Sequence, residues 1–469
     1  MKSDFYCNPR VSKTALQKFL DCFESGRDEL HTFEVFHRDD MIVRLAPAPY
    51  SCSDKREIYS LSKSFCSTAV GVLVTEGKVS TEDYITDLFP DLCPDDPCEN
   101  LKKMKLRHVL SMNTGHPSCV MGHMIRAESA AKAFLAQPVP YEPGTHFAYN
   151  TGATCLLSCL VTRLTGKTVL DFLSEKLFVT LGIEGVRWNR VSSGESEGGC
   201  GIHVSADDIA KLGRLYLHKG VWNGKRILSE EWVKEAASPV SDNSGNGSPD
   251  WCAGYGFQFW CNARGGFRGD GAFGQLCFVL PEQELVFAVQ TELGDMQREI
   301  DALMELAEHL FDDDLKNTVT LPDYAPVKTE RRTCGFENTF YALDDNPMGW
   351  TAAYVTYSAE EDACHLVLSD GVDQFTVRAG AGYWAESTVY ARRTKPKLIG
   401  LMSTDEKELC RMVSSYEAKD GGLAFHIRYL NCPHKMCIAL RFEGDTLRIT
   451  VTPRDRLEGD SAEISGKCI

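Results

Sequence analysis

Two serines stand three residues before a lysine, a spacing that could place a nucleophile beside its base. They occur as Ser60-Leu-Ser-Lys63 and Ser129-Ala-Ala-Lys132. One helical turn brings residues i and i+3 to the same face, so the amine could hold or accept the hydroxyl proton. Chance alone would give roughly two such pairs in a chain of this composition. Their sequence context must therefore decide between them.

The context of Ser60 favours a chemical role. Ser60 follows the strand-like stretch 56–59 and precedes an apolar run that predicts a buried helix ending at Gly77. At a helix N terminus its oxygen would lie near unpaired N–H groups and the positive end of the helix dipole. Burial could lower the pKa of Lys63 enough for it to act as a base. The structural alternative is a serine N-cap followed by a solvated lysine.

The context of Ser129 favours no chemistry. It lies within ESAAKAFLAQ, which predicts the middle of an amphipathic helix. A serine in the middle of a helix has no free backbone donors nearby, because those N–H groups bond within the helix. We therefore interpret Ser129 as an exposed helix residue.

Five segments in order resemble the β-lactamase-related serine hydrolases, the group of class C β-lactamases and penicillin-binding proteins. The resemblance covers roughly residues 10–312 and includes YSLSKSFCSTAVGVLVTEG, LRHVLSMNTGH, PGTHFAYNTGATCLLSCLVTRLTGKTVLDFL, GGCGIHVSADDIAKLGRLYLHKG and GDGAFGQLCFVLPEQELVFAVQTEL.

The resemblance implies an acyl-enzyme mechanism. Ser60 would attack a carbonyl while Lys63 and Tyr149 manage the proton. The backbone N–H groups of Ser60 and Ala272 would form the oxyanion hole, with Ala272 placed by matching Gly271 to the glycine of the third family motif. The alternative for Tyr149 is an ordinary core tyrosine.

The second motif departs from the family pattern. Relatives usually have Tyr-x-Asn, whereas this chain has Tyr149-Asn150-Thr151. Either Asn150 serves instead or the amide contact to substrate is absent. The segments Trp188–Arg190 and Gly198–Gly201 are further candidates for lining the cleft; the alternative is a packed indole and turn glycines.

The third motif departs more strongly. It usually opens with Lys or His, whereas Gly269-Asp270-Gly271 has neither. A cationic residue there would recognise a substrate carboxylate, so its absence argues against penicillin-like or D-Ala-D-Ala substrates. Arg268 could supply the missing charge from one position away. The candidate substrate-binding residues are Asn150, Trp188, Gly199, Asp270 and Gly271.

The order of elements predicts an α+β fold. A helix near residues 12–24 precedes a hairpin joined at Asp39–Asp40, and a helical middle region is followed by late strands and a helix near 296–311. Early and late strands could join in one antiparallel sheet flanked by helices, with a helical subdomain beside it. We assign this β-lactamase/transpeptidase-like domain to residues 1–315, a linker to 316–330, and an all-β domain, an antiparallel sheet or small barrel, to 331–469.

Composition limits the partners. The chain has a formal net charge of −16, which disfavours nucleic acid and anionic membrane surfaces. Its N terminus lacks an apolar export signal, so we predict a cytoplasmic protein with reduced thiols. Two groups have spacings that zinc could accept, Cys93/Cys98 and Cys432/His434/Cys437, but neither has a second ligand pair nearby. We predict no metal and no cofactor.

The residues and the resemblance together predict a hydrolase of esters or amides acting on a small molecule or peptide. The competing hypothesis is a binding protein that keeps the fold and has lost turnover. The presence of Ser60, Lys63 and Tyr149 speaks against that alternative, and the altered third motif speaks for it. The natural substrate and the oligomeric state stay open.

Overall fold

The structure, a computed structural model, describes residues 2–23, 28–314, 316–329, 338–391, 408–419, 421–453 and 461–469. The chain divides into two compact units. The larger comprises Asp4–Ala46 and Cys52–Pro322, and the smaller includes Pro47–Ser51 and the chain from Asp323 onward. The predicted domain limits at residues 315 and 330 stay predictions, and both of these residues lie outside the described part.

The larger unit draws its strands from both ends of its sequence. In chain order they are Asp4–Cys7 (β1), Glu29–His37 (β2), Asp40–Ala46 (β3), Arg56–Glu57 (β4), Arg187–Trp188 (β5), Ile202–Val204 (β6), Val221–Trp222 (β7), Lys225–Arg226 (β8), Trp260–Cys261 (β9), Phe267–Gly271 (β10), Gln275–Leu280 (β11) and Leu285–Glu292 (β12). Seven form an antiparallel sheet in the order β1-β3-β2-β12-β11-β10-β9. The early hairpin therefore lies beside the late strands, as predicted.

The hairpin turn falls one residue earlier than predicted. His37 pairs with Asp40, so Arg38 and Asp39 form the turn rather than Asp39 and Asp40. Arg38 has a φ of 59°, the left-handed conformation that two-residue hairpin turns use because it matches the strand twist.

The larger unit also contains α-helices, some of which pack on this sheet. They are Lys13–Leu20 (α1), Ser62–Thr75 (α2), Ile85–Leu88 (α3), Glu99–Lys103 (α4), Leu106–Leu110 (α5), Met121–Met124 (α6), Ala130–Leu135 (α7), Thr151–Thr165 (α8), Val169–Leu173 (α9), Val179–Leu181 (α10), Ala206–Leu217 (α11), Glu230–Ala236 (α12) and Met296–His309 (α13). The apolar faces of α1 and α13 share one core with the sheet strands. Helix α11 approaches the strands closely at Gly213, where a Cβ would lie 2.6 Å from Val286.

The middle of the larger unit is helical, as predicted. Helix α8 is its centre and contacts α2, α5, α6 and α7. Residues 151–161 of α8 are all buried, in keeping with the many apolar and small residues of that stretch. No single helix in the described ranges is long and apolar enough to cross a membrane; α8 and the bent segment Val169–Leu181 pass that test of length and composition only together.

The smaller unit is an all-β barrel. Its strands are Thr339–Leu343 (β13), Ala352–Ser358 (β14), Ala363–Ser369 (β15), Gln374–Ala381 (β16), Ala385–Ala391 (β17), Glu408–Lys419 (β18), Gly422–Tyr429 (β19), Lys435–Glu443 (β20), Thr446–Pro453 (β21) and Ala462–Cys468 (β22). They form one sheet, which closes on itself where β16 pairs in parallel with β18. Alternate residues such as Leu366, Leu368, Phe425 and Ile427 fill the interior. The predicted α+β class with a C-terminal all-β domain is confirmed.

Candidate active site

Ser60 lies in a short 3₁₀ turn, Tyr59–Leu61, between β4 and α2. Tyr59 adopts a φ of 46°, a conformation that costs a non-glycine residue roughly 1–3 kcal/mol. The Ser62 hydroxyl stabilises the turn by donating to the Tyr59 carbonyl at 2.5 Å. Ser60 stays partly exposed while its neighbours Tyr59 and Leu61 are buried. The turn thus presents the Ser60 hydroxyl at the start of α2, as predicted.

Lys63 extends from the first turn of α2 back to Ser60. Its Nζ lies 3.0 Å from Ser60 Oγ and donates to the Gly199 carbonyl at 2.8 Å. The side chain is only 1% exposed. Burial lowers the pKa of Lys63 because the charged ammonium loses its hydration, while more distant thiols and Asp270 oppose that effect. The geometry therefore suits an amine that takes up the Ser60 proton.

Tyr149 completes a trio with these two residues. Its hydroxyl hydrogen-bonds Ser60, and Lys63 Nζ lies 4.8 Å from its ring centroid. Trp260 stacks on the other side of the ring, with centroids 5.3 Å apart. Burial raises the pKa of Tyr149, and the negative charge of Asp270 raises it further. The phenol therefore stays protonated where Lys63 is easily deprotonated, which makes lysine the better base and tyrosine the better proton donor.

The second Ser-x-x-Lys pair differs in burial rather than in helix position. Ser129 is the N-cap of α7 and accepts a hydrogen bond from the Lys132 backbone N–H at 3.3 Å. Our prediction that Ser129 lies in the middle of a helix was wrong. Lys132 is exposed, so its amine lies in water. The burial of the lysine is what separates the two motifs.

Strand β10 approaches the Ser60 turn through two glycines. A Cβ on Gly269 would lie 2.4 Å from Ser64 Oγ, and one on Gly271 would lie 2.1 Å from the Ile58 carbonyl oxygen. Any side chain at these positions would push the strand away from the turn. The third-motif glycine is therefore required here for close packing, whatever binds beside it.

The two predicted oxyanion donors lie on these facing elements. Ala272 follows β10 directly, and outside the helices and strands no backbone hydrogen bond of the described residues uses the N–H groups of Ser60 or Ala272. The turn after β10 is fixed by Gln275, whose Nε2 donates to the carbonyls of Ala272 at 3.4 Å, Phe273 at 3.2 Å and Thr291 at 2.7 Å. The Thr291 hydroxyl also donates to the Phe273 carbonyl at 2.7 Å.

Asp270 and Arg268 lie on the same face of β10, because alternate strand residues share a face. Arg268 Nη2 lies 3.1 Å from Asp270 Oδ2, and the Trp260 indole hydrogen-bonds Asp270. Burial raises the pKa of Asp270, while Arg268 and Lys63 oppose that rise. Arg268 is fully buried, so it serves Asp270 rather than reaching a substrate.

The remaining residues that we predicted to bind substrate make hydrogen bonds within the protein. Asn150 is fully buried and caps α8, its oxygen accepting from the N–H groups of Gly152 at 3.0 Å and Val120 at 3.1 Å. The Trp188 indole donates to the Cys200 carbonyl at 2.8 Å, next to Gly199, whose own carbonyl holds Lys63. Direct contact of Asn150, Trp188 or Gly199 with a substrate stays a prediction.

One cluster among the described residues could hold a metal ion. The ligand atoms of Glu29, His31 and Glu292 lie within 4.8 Å of one another, and all three residues are buried. They belong to β2 and β12, whereas the Ser60 site is built on α2 and β10. The cysteine groups that we considered for zinc do not form such a cluster in the described part of the chain.

Sequence reasoning missed Trp260 and Gln275. Trp260 lies in the stretch YGFQFWCN, whose pattern predicts only a strand. In the structure, β9 contains just two of those residues. Gln275 opens β11, and its three bonds go to backbone carbonyls. No sequence motif signals either role, because both depend on neighbours distant in the chain.

The chain is similar to known proteins in sequence and in structure. Residues 35–310 match the sequence profile of a family described as Beta-lactamase. The 6-aminohexanoate-dimer hydrolase of Paenarthrobacter ureafaciens is 26% identical over 303 residues, which cover 59% of this chain and 77% of that protein. A penicillin-binding protein homologue from Caulobacter crescentus has a TM-score of 0.53 at 15% identity, over 65% of this chain and 100% of the other. A structure of SurE has a TM-score of 0.51 at 18% identity, over 92% and 94%. The last two show a shared fold.

Gln275→Leu should slow acylation with little effect on KM. The variant keeps the side-chain volume and removes three hydrogen bonds that fix the Ala272 turn. Removal of one oxyanion donor lowers kcat roughly 10²–10³-fold. A donor that is displaced rather than removed should lose part of this contribution, so we expect kcat to fall about tenfold or more. Steady-state kinetics with a p-nitrophenyl ester measures it. Gln137→Leu is the matched control, since Gln137 bonds only within α7 and its flank; equal kcat in both variants would contradict a positioning role.

The pH dependence should report the deprotonation of Lys63. Only the neutral amine can accept the Ser60 proton, so the rate of phosphonylation should rise with pH through the lowered pKa of Lys63 and be lost as the pH falls below it. Lys63→Arg should abolish this rise and slow labelling roughly 10²–10⁴-fold, because guanidinium keeps its proton. The measurement is the second-order rate of fluorophosphonate labelling against pH. An unchanged profile in Lys63→Arg would exclude Lys63 as the base.

Proposed function

The chain belongs to the β-lactamase family, and on that basis we propose that it is a serine hydrolase that cleaves an ester or amide bond through an acyl-enzyme on Ser60. The observation that carries the proposal is the buried Lys63 amine, 3.0 Å from a serine hydroxyl. A buried amine that faces a hydroxyl has its pKa lowered and its lone pair directed at the proton to be removed.

Acylation follows from the placement of these groups. Ser60 Oγ attacks the carbonyl carbon while its proton passes to Lys63. The developing oxyanion accepts hydrogen bonds from the backbone N–H groups of Ser60 and Ala272. The leaving group takes a proton from Tyr149, and the Lys63 ammonium, which holds the former Ser60 proton, returns a proton to the tyrosinate. Water then attacks the acyl-enzyme with the same groups acting in reverse.

The alternative is a binding protein without turnover, which the altered third motif favours. Family hydrolases usually have a cationic or strongly donating residue where this chain has Gly269. Turnover and covalent labelling distinguish the two functions, because a binding protein needs no activated nucleophile.

A fluorophosphonate probe should label Ser60 alone. The probe reacts only with an activated hydroxyl, and Ser60 is the serine beside a buried lysine. Ser60→Ala should abolish labelling and hydrolysis, whereas Ser129→Ala should leave both intact, since Lys132 is solvated. Peptide mapping by mass spectrometry measures the site. Label on Ser129, or full hydrolysis by Ser60→Ala, would overturn the proposed function.

The protein should hydrolyse β-lactams poorly. Asp270 stands where a β-lactam carboxylate would approach, and Arg268 is buried behind it. A charge-assisted hydrogen bond contributes about 1.5–3 kcal/mol, so its absence should slow ring opening roughly ten- to hundredfold. The comparison is kcat/KM for a chromogenic cephalosporin against a short-chain p-nitrophenyl ester, and we expect the ester to be preferred. A tenfold preference for the cephalosporin would show that this interpretation of the third motif is wrong.

A further inference from the structure

A carboxylate lies on β10 close to the Ser60 turn. Strand β9 pairs with Phe267 and Arg268 of β10, and among the described residues no strand pairs with that edge of β10 from Gly269 onward. Asp270 lies in this unpaired part, two residues before the predicted oxyanion donor Ala272. A substrate held by that donor would lie close to the Asp270 side chain.

The guanidinium of Arg268 is not paired with Asp270 alone. Its guanidinium lies 3.1 Å from Asp270 but also lies near Asp250, which acts on it electrostatically. Asp250 is buried and accepts hydrogen bonds from Gln297 at 2.6 Å and the Ala263 N–H at 2.9 Å. Two carboxylates thus share one guanidinium. Burial raises the pKa of Asp270, and a ligand of positive charge beside it would stabilise its ionised form.

Arg268 cannot turn toward the substrate without losing its other contacts. Its Nη1 donates to Asn262 Oδ1 at 2.8 Å, and the guanidinium lies over the Trp251 ring at 4.5 Å. The side chain has no exposed surface. The group that meets a substrate here is therefore Asp270, which retains some exposure, rather than the arginine behind it.

Asp270 is also close enough to act on the groups that perform the chemistry. Its charge affects Lys63 and Tyr149, the proposed base and proton donor. The Trp260 indole hydrogen-bonds Asp270 and stacks on the Tyr149 ring, so the carboxylate lies in the same group of side chains as the proposed proton donor. A substrate cation beside Asp270 would lie near the bond that is cleaved.

We propose that Asp270 selects substrates that carry a protonated amine near the scissile ester or amide bond. The inference rests on the proposed function, because it concerns the same pocket and the same acylated serine. The substrate class is thus an amino-acyl or aminoalkyl ester or amide, in which the ammonium pairs with Asp270 while the carbonyl oxygen meets the Ser60 and Ala272 amides. A carboxylate in that position would be repelled.

Three phenylboronic acids test this selection without requiring turnover. They carry a meta aminomethyl, hydroxymethyl or carboxyl group and bind reversibly to an activated serine. Competition against fluorophosphonate labelling of Ser60 gives the affinity of each. We expect the aminomethyl compound to bind about tenfold or more tightly than the hydroxymethyl compound, and the carboxyl compound to bind most weakly.

The quantity compared between variants is the ratio of the aminomethyl affinity to the hydroxymethyl affinity. A general loss of reactivity changes both affinities alike and leaves this ratio unchanged. Asp270→Asn should bring this ratio close to one, and Asp270→Glu should keep the cationic compound preferred. Glu230→Gln is the control, because it removes an exposed carboxylate that pairs with Lys219. Thermal unfolding shows whether each variant folds.

The outcomes separate the two proposals. Equal binding of the three boronates, or tightest binding of the carboxyl compound, overturns the selection by Asp270 even where Ser60 is labelled. An unchanged ratio in a folded Asp270→Asn variant overturns it as well. If Ser60 takes no label and no boronate competes, the hydrolase proposal fails, and the selection fails with it.

Discussion

The amine of Lys63, with almost no surface exposed to water, lies between the Ser60 hydroxyl and the Gly199 carbonyl. Burying an ammonium ion costs several kcal/mol unless it is well paired. No carboxylate is hydrogen-bonded to this amine among the described residues. Its hydrogen-bond partners are two neutral oxygen atoms, so burial favours the neutral amine and lowers the pKa of Lys63. That constraint suits Lys63 to the role of base that we propose, and the surrounding elements keep water from its amine.

Close backbone approach is what keeps the amine dry. Gly269 and Gly271 let β10 lie against the Ser60 turn, and a Cβ on Gly199 would lie 2.5 Å from Thr151 of α8. The same contacts hold the end of β10, which Ala272 follows, against the Ser60 turn. Packing and the proposed chemistry are therefore coupled, because a strand that moved away would both admit water and displace the proposed oxyanion donor.

Aromatic side chains and one ion pair complete the wall of the site. Trp260 stacks on Tyr149 and hydrogen-bonds Asp270, so a single indole contacts both the proposed proton donor and the acidic residue of the third motif. Arg268 lies 3.1 Å from Asp270. The selection of cationic substrates that we propose would be opposite to a site that uses a cation to recognise a substrate carboxylate.

Local pattern was enough to predict the α+β order, the joined early and late strands, and the all-β domain, because hydrophobic periodicity and turn residues act over a few neighbours. It also predicted that Ser60 starts a helix. It failed for Ser129, which is the N-cap of α7 rather than a residue in the middle of a helix.

Only tertiary structure decided which lysine is buried. Lys63 is enclosed by Gly199 and Tyr149, distant in sequence, whereas Lys132 faces water. The roles of Trp260 and Gln275, the sharing of Arg268 between two carboxylates and the use of Asn150 as a cap were decided in the same way. Sequence specifies the residue types that can do the chemistry; desolvation and pairing, which set their charge states, depend on contacts that form only when distant segments pack together.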